Sequence, residues 1–597
     1  MDDQNKNLIL AMVLSGLVIL VWSLWFSPIG SPLTAPTDPA SVASTAPANT
    51  QTLATPNLPQ APQESREAAL AKSPRLNIVT PNLSGSISLK GGLLDDLKLV
   101  KYGVELAQNS PRVTLLSPNG GPQSYYTLQG WAPAAGEKVP AFDTLWSIES
   151  GAILTEATPV TLVWDNGAGL IFRRKIGVDA NFMFTMEQSV VNNTAATVNL
   201  QPYGTIARQG KPDVAGIYLL HEGIVRSSDG TIEEINYDDM PDFPLDAAEN
   251  APTSAVDVAS AGWIGITDKY WMTTLIADTG QSFKSVVKYV ASNNTYQTDL
   301  RLPTIAIAPG ASGTATTRLF AGAKEVETIK AYQRDLKINQ FVDSVDWGWF
   351  FFLTKPIFSI LHWLNSIIGN MGFAIIGLTL LIKTLLFPLA YKSFVSMSKM
   401  KKLQPEMEKI KERVGDDRTK LQQEMMAMYK KEKVNPASGC LPILLQIPIF
   451  FSLYKVLFVT IEMRHAPFVG WIKDLSAPDP TSFLNLFGLL PWNAPLPSSI
   501  FGILSIGVFP ILMGISMFMQ QKLNPAPTDK TQATIFAWMP WIFMFMLGQF
   551  AAGLVIYWVA NNTITFIQQY TIMRSQGVKP DIWGNLFGGF RKKPKGA

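Results

Sequence analysis

Thr379-Leu-Leu-Ile-Lys383-Thr-Leu-Leu-Phe-Pro388 is an apolar stretch with one lysine inside it. The apolar run around it extends from about Met371 to Ala390. That is long enough for a helix to cross the roughly 30 Å hydrocarbon core of a bilayer. Lys383 would then lie well inside the membrane, where an unpaired lysine costs roughly 2.5–3.5 kcal/mol on insertion scales. A chain keeps such a residue where it is shielded, snorkels to an interface, or does work.

The whole chain fits a membrane setting. Its 597 residues exceed one ordinary domain, and only 16% are charged, low for a soluble protein of this size. Net charge is +3, with the excess Lys and Arg after residue 390. The single cysteine, Cys440, forbids a disulfide within the chain. His221, His362 and His465 are far apart and give no zinc spacing with it. No Walker loop, GxGxxG or GxSxG element stands in a convincing context, so nothing points to nucleotide chemistry or a hydrolase. No cofactor and no metal are expected.

Working outward from the opening stretch, the N-terminal side begins with Leu8 to Phe26, an apolar run closed by Trp22, Trp25 and Phe26. It reads as a spanning anchor with interfacial aromatics over 1–26. A cleaved signal is the alternative, and no cysteine near the run supports a lipoprotein. Residues 27–75, rich in Pro, Ala, Thr and Ser, read as a flexible linker. Over 76–345, short alternating segments such as Val160–Trp164 and Phe283–Val290 recur between turn signals at 119–120, 166–167 and 229–230. These predict a large β-sandwich domain. His221, its only histidine, reads as a surface or structural residue.

Trp347 to Ile368 is aromatic but interrupted by Lys355-Pro356 and His362, which predicts an interfacial amphipathic helix over 346–370. The spanning helix over 371–391 follows. A helical hairpin is expected over 392–438: Met400, Leu403, Met407 and Ile410, then Met425 and Met428, repeat at three- and four-residue spacing around the turn Gly415-Asp-Asp417. Its methionine face reads either as an ordinary helical loop or as a docking platform, since methionines adapt to varied apolar partners. Pro405 either kinks the first arm or starts a fresh helix. Four more apolar runs, 441–461, 500–519, 535–547 and 551–572, fall within 439–573 around an outer loop at 464–499, and a basic tail occupies 574–597. The basic 392–433 and 520–532 loops and the tail face the cytoplasm by the positive-inside rule. Six spans follow, with both termini cytoplasmic and the β domain outside.

No Asp or Glu lies in the middle of any run, so Lys383 has no acidic partner there. Coupled transporters usually carry intramembrane carboxylates, which counts against a small-solute transporter. A membrane-tethered carbohydrate enzyme would need a histidine/carboxylate cluster that the β region lacks. Gln446, Tyr557, Asn561 and Thr379 would instead line a hydrated cavity with Lys383, the alternative being that Lys383 snorkels to the inner interface.

The chain resembles the YidC/Oxa membrane protein insertases in their long Gram-negative form. The resemblance is carried by Leu403-Gln-Pro405, Gly415-Asp-Asp417, Gln423-Glu-Met-Met426, Glu432-Lys-Val-Asn-Pro436 and Gly439-Cys-Leu-Pro442. It continues through Gln446-Ile-Pro-Ile-Phe450, Trp471-Ile-Lys-Asp-Leu475, Pro510-Ile-Leu-Met-Gly514, Met539-Pro540 and Gly553-Leu-Val-Ile-Tyr557, and is dense from about 347 to 573. It implies a five-helix core plus anchor, an outer β-supersandwich, and an insertase or chaperone that hydrolyses no nucleotide. A hydrophilic groove open to cytoplasm and lipid would take in the polar part of a nascent membrane protein. The family's groove arginine falls on Lys383, which keeps the charge and loses the bidentate fork. Its substrate-contact slide falls on Thr379, Phe450, Met513, Met546 and Trp558, with Met546 replacing an aromatic and Trp558 a tyrosine. The hairpin would receive substrate. The tail cations Arg591, Lys592, Lys593 and Lys595 would approach the ribosome. The resemblance further implies work in the inner membrane, alone or beside the Sec translocon with its SecDF part.

Overall fold

The computed structural model describes residues 64–578 apart from 213–219, 416, 433, 435–440, 493–494, 496–501, 503 and 525–529. The expected anchor over 1–26 and the four tail cations lie outside these residues.

Regular structure reaches into the expected linker. Ser65 caps a short helix, α1 (Arg66–Ala71), by accepting the Ala68 N–H. Arg66 pairs with Asp96 and donates to the Leu116 carbonyl, which ties this helix to the sheet that starts at Arg75. A composition argument stopped at the Pro/Ala/Ser content and could not see these long-range partners.

Among the described residues, the β region forms a twelve-stranded and a nine-stranded sheet. Central neighbours in the first are Phe283–Val290, Thr295–Arg301, Val198–Gln209, Tyr125–Pro133 and Leu93–Gly103; in the second, Trp271–Ile276, Ser312–Ala323, Met183–Asn192 and Leu170–Val178. Pairing is antiparallel except between Arg75–Val79 and Ile153–Leu154. Alternation of buried and exposed residues along Met183–Asn192 and Leu170–Val178 follows the two-residue period of a half-buried strand. Buried residues of both sheets and of the segment after them belong to one core cluster, in which Phe341 of that segment lies edge-on to Phe320 at 5.6 Å and to Trp263 at 5.8 Å, both of the nine-stranded sheet. Asp229 and Gly230 both have positive φ and join Gly223–Ser228 to Thr231–Asn236, the two-residue hairpin geometry that Asp-Gly favours. His221 is structural: its backbone N–H donates to Asp346 and its ring contacts the Ile224 carbonyl at 2.9 Å.

The helical region follows α2 (Val326–Asp335). It comprises α3 (Phe351–Ile368), α4 (Met371–Leu385), α5 (Phe387–Val414), α6 (Arg418–Lys431), α7 (Leu441–Val459), α8 (Val508–Leu523), α9 (Lys530–Leu547) and α10 (Ala552–Ser575). By length and composition alone, α3 is the one unbroken described helix that could cross a membrane, where the sequence reading laid it in the interface.

The opening stretch is not one helix to residue 391. It breaks after Leu385, and α4 and α5 meet at 68°. Pro388 causes the break: it cannot donate to Thr384 and its ring would clash with that carbonyl, so it sits in the first turn of a new helix instead. The first hairpin arm therefore starts at Phe387, and it continues through Pro405 to Val414 as a single helix. A second shift concerns the run expected at 500–519, since α8 begins only at Val508. Thr481 Oγ1 accepts the Val508 N–H and Asp479 Oδ2 accepts the Phe509 N–H, so the outer loop itself caps the helix there.

The β domain is seated on the helices through specific contacts. Lys455 of α7 pairs with Asp346 at 2.5 Å, Arg464 donates to the carbonyls of Gly103 and Val104, and Lys269 lies 3.5 Å over the Phe458 ring. Glu462 Oε1 accepts the Val326 N–H at the start of α2. Burial pushes the Glu462 carboxyl up to about 7.

Candidate functional site

Twelve residue steps along α4 from Met371, about 18 Å, bring the chain to Lys383 in that helix's last turn. The free carbonyls of a helix C-terminus carry partial negative charge, so the α4 terminus faces this lysine with favourable polarity although no acid does. Among the described residues Lys383 makes no salt bridge. Its Nζ donates to Gln446 Oε1 at 3.3 Å, and Gln446 Nε2 in turn donates to the Tyr557 hydroxyl. Three helices, α4, α7 and α10, thus contribute to one hydrogen-bonded chain.

That chain lines a cavity of about 650 Å³ between α4, α5, α7, α8, α9 and α10. Its wall on α10 is a polar stripe at helical spacing: Tyr557, Asn561, Thr565, Gln568 and Gln569, with Asn562 beside them. Asn561 Nδ2 donates to Asn562 Oδ1 at 3.4 Å, whereas Asn561 Oδ1 is buried with no partner among the described residues. The rest of the lining is mostly apolar, with Gln446 of α7 and Gln520, Gln521 and Asn524 at the end of α8 as its polar exceptions. Phe450 stacks on Trp558 at 5.0 Å, and Met513, Met517, Phe543 and Leu547 belong to it. Among the described residues no carboxylate lines the cavity. Among the described residues no group of His, Cys, Asp or Glu could hold a metal. The arrangement can solvate a polar chain segment on one side and pass an apolar one on the other.

Comparison with known proteins bears on this geometry. Residues 363–579 match the family described as 60Kd inner membrane protein, and residues 75–360 match the YidC periplasmic domain. The chain is 59% identical to the membrane protein insertase YidC of Dinoroseobacter shibae over 605 residues, covering 99% of each chain. It is 58% identical to that of Roseobacter denitrificans, covering 100% of this chain and 99% of that one. The chain belongs to the YidC family of membrane protein insertases. A crystal structure of an active YidC insertase with its first transmembrane domain resolved aligns with 83% of this chain and 92% of its own, at 17% identity and a TM-score of 0.35. As a YidC insertase the chain is a membrane protein with a periplasmic β domain, and it is not an enzyme.

Of the residues singled out for the YidC groove and slide, the structure gathers Lys383, Gln446, Tyr557, Asn561, Phe450, Met513 and Trp558 on one cavity. Two fall elsewhere. Thr379 is buried within the bundle and its hydroxyl donates to the Ile375 carbonyl at 2.7 Å, because one turn before Lys383 the face of α4 turns inward. Met546 is exposed on the outer face of α9, because the cavity takes Met539, Phe543 and Leu547, four residues apart, and Met546 lies off that row. Sequence reasoning missed Gln520, Gln521 and Asn524 by assigning them to a loop. Their continuation of the Met513, Met517 spacing was the available signal.

One of these glutamines has a second task. Pro540 cannot donate to the Phe536 carbonyl, and Gln521 Nε2 donates to that carbonyl instead. In an apolar surround an unsatisfied carbonyl costs several kcal/mol.

The hairpin departs from the expected exposed methionine face. Met407 and Met428 are buried between its two arms, where the Tyr429 hydroxyl lies 3.6 Å from the Met407 sulfur. Met400, Leu403, Ile410 and Met425 are partly covered, and the neighbouring Met426 is the exposed one. A seam at three- and four-residue spacing marks a buried stripe, and here it closes the hairpin on itself. The middle of α5 is held by its lysines: Lys401 donates to the Leu523 carbonyl at 3.4 Å, and Lys402 to the Gln576 carbonyl at 2.7 Å, at the C-terminal ends of α8 and α10.

Proposed function

We propose that the chain inserts membrane proteins by admitting their polar segment to the cavity around Lys383 while the apolar segment passes along the wall formed by Phe450, Met513 and Trp558. The observation that carries this reading is the chain Lys383–Gln446–Tyr557 at the edge of an apolar-walled cavity of about 650 Å³. Lys383, a cation without a counter-ion, and the amides of the α10 stripe together offer donors and acceptors to a passing peptide. Nothing in the wall requires nucleotide hydrolysis. The driving force is transfer of apolar surface to lipid.

The orientation proposed has both termini in the cytoplasm and six spans, supported by the lysines of 392–433 and 520–532 and by the basic tail. Proposed partners are nascent membrane proteins, the Sec translocon including SecDF, membrane lipid, and the ribosome through Arg591, Lys592, Lys593, Lys595 and the hairpin. The basic tail suits a polyanion. Photocrosslinking from position 558 during translation tests the cavity reading. A nascent membrane protein in the adduct is the expected result, and an adduct free of nascent chain overturns it.

A further inference from the structure

In the proposed orientation the loop between α7 and α8 lies on the outer side, and its composition and geometry point to lipid rather than water. From Pro480 to Gln521 the chain carries no Asp, Glu, Lys or Arg. Within it, Phe483–Gly488 forms a short 3-10 turn in which Leu486 and Phe487 both hold left-handed backbone, at φ 48° and 58°. Bulky residues rarely adopt that conformation. The turn sets Leu486, Phe487, Leu489 and Trp492 outward, with Leu489 84% exposed and Trp492 55% exposed. Soluble surfaces scatter such residues singly, and a contiguous group marks an interaction surface.

Both indole N–H groups of the described loop are satisfied internally. The Trp492 indole N–H donates to the Leu484 carbonyl at 3.1 Å and that of Trp471 to Asp479 at 3.2 Å. Asp479 also accepts from Thr481 and from the Phe509 N–H, fastening the loop to the start of α8. At Leu486, Phe487, Leu489 and Trp492 the turn presents ring face and aliphatic carbon outward. The same side of the molecule is fixed by Arg464, which donates to Gly103 and Val104 of the periplasmic domain. Asp479 and Thr481 tie this loop to the first turn of α8, a helix of the bundle whose Leu512 and Ile515 are themselves exposed apolar residues.

We propose that Phe483–Trp492 is a wedge seated in the outer leaflet of the bilayer, its occupant lipid acyl chains and not water or a partner protein. Lack of charge lets it enter, indole hydrogen bonds made internally spare it a desolvation cost, and the Asp479 staple holds it at the head of α8. Its place beside α8 puts it next to the helix that supplies Met513 to the cavity.

The test uses the full chain with Cys440→Ser and a nitroxide on Leu489→Cys, in vesicles of phosphatidylethanolamine and phosphatidylglycerol. Power saturation compares access of oxygen, which partitions into lipid, with that of a water-soluble nickel chelate. Oxygen access exceeding nickel access is the expected result. Nickel access exceeding oxygen access places the loop in water and overturns the proposal. Protection from both places it against protein and overturns it equally. Trp492→Cys, labelled in the same way, provides an independent position on the same face and should give the same order. A label on Leu245→Cys, 72% exposed on the β domain, serves as the aqueous reference.

Discussion

Lys383 and Gln446 come from helices separated by the whole hairpin, yet Lys383 Nζ donates to Gln446 Oε1 at 3.3 Å, and the same amide donates onward to Tyr557. The glutamine is thus both the acceptor that holds the lysine in the cavity and the link that fixes its direction. Charge-assisted hydrogen bonds contribute roughly 1.5–3 kcal/mol. In cells depleted of the native insertase, Lys383→Arg should support insertion of a small single-span substrate at close to the normal rate. Lys383→Met should slow it on the order of tenfold, and Lys383→Glu further. A normal rate with Lys383→Met would show that the charge takes no part.

Gln521 and Pro540 should behave as a coupled pair. Gln521→Leu leaves the Phe536 carbonyl without a donor and should lower stability by about 1–3 kcal/mol, read as a lower thermal midpoint in detergent. Adding Pro540→Ala restores an N–H to meet that carbonyl within α9 and should recover most of the loss. Additive effects of the two changes would mean that Gln521 acts through some other contact.

The lysines in the middle of α5 should act on helix ends. Lys402→Ala removes the donor to Gln576 at the C-terminus of α10, an interaction typically contributing about 0.3–1 kcal/mol. Amide exchange in residues 573–578 should quicken while that of the β domain stays unchanged. Equal exchange in variant and parent would assign Lys402 no capping role.

Acidity should strengthen the joint between the β domain and the helices. Burial raises Glu462 from 4.5 to about 7, with Glu325, just before α2, and Glu327 of α2 adding to the rise. Tyr102 donates to Glu325 beside it. A group raised on folding gives stability that is full below its unfolded value and is lost as pH rises through its folded value. The joint should therefore weaken between pH 4.5 and about 7, by about 3 kcal/mol. Limited proteolysis across 324–346 as a function of pH measures this. Glu462→Gln should flatten the dependence, and an unchanged slope in that variant would assign the effect to another group.

Much of the site could be read from the residues in order. The lysine inside an apolar run, the four-residue repeat Tyr557, Asn561, Thr565, and the lack of intramembrane acids all imply a polar cavity. Which residues face it was harder. Thr379 sits one turn from Lys383 but points into the bundle, and Met546 belongs to the right helix but its outer face. Helical spacing defines a set of faces, and only packing against neighbours chooses among them. Gln520, Gln521 and Asn524 were hidden for a related reason: α8 starts where Asp479 and Thr481 cap it, and those partners lie 27 to 30 residues away.

By itself the sequence determined that this chain has an apolar helical half with a solitary lysine and a β half with short alternating strands. Those features follow from composition and from periods of two and 3.6 residues, which are local. Tertiary structure alone decided that Pro388 turns the chain through 68° just past Lys383, that Gln446 links that lysine to Tyr557, and that Met407 and Met428 are buried, with Tyr429 against the Met407 sulfur. These outcomes depend on which surfaces are buried against which, and long-range burial leaves no signature in any single stretch.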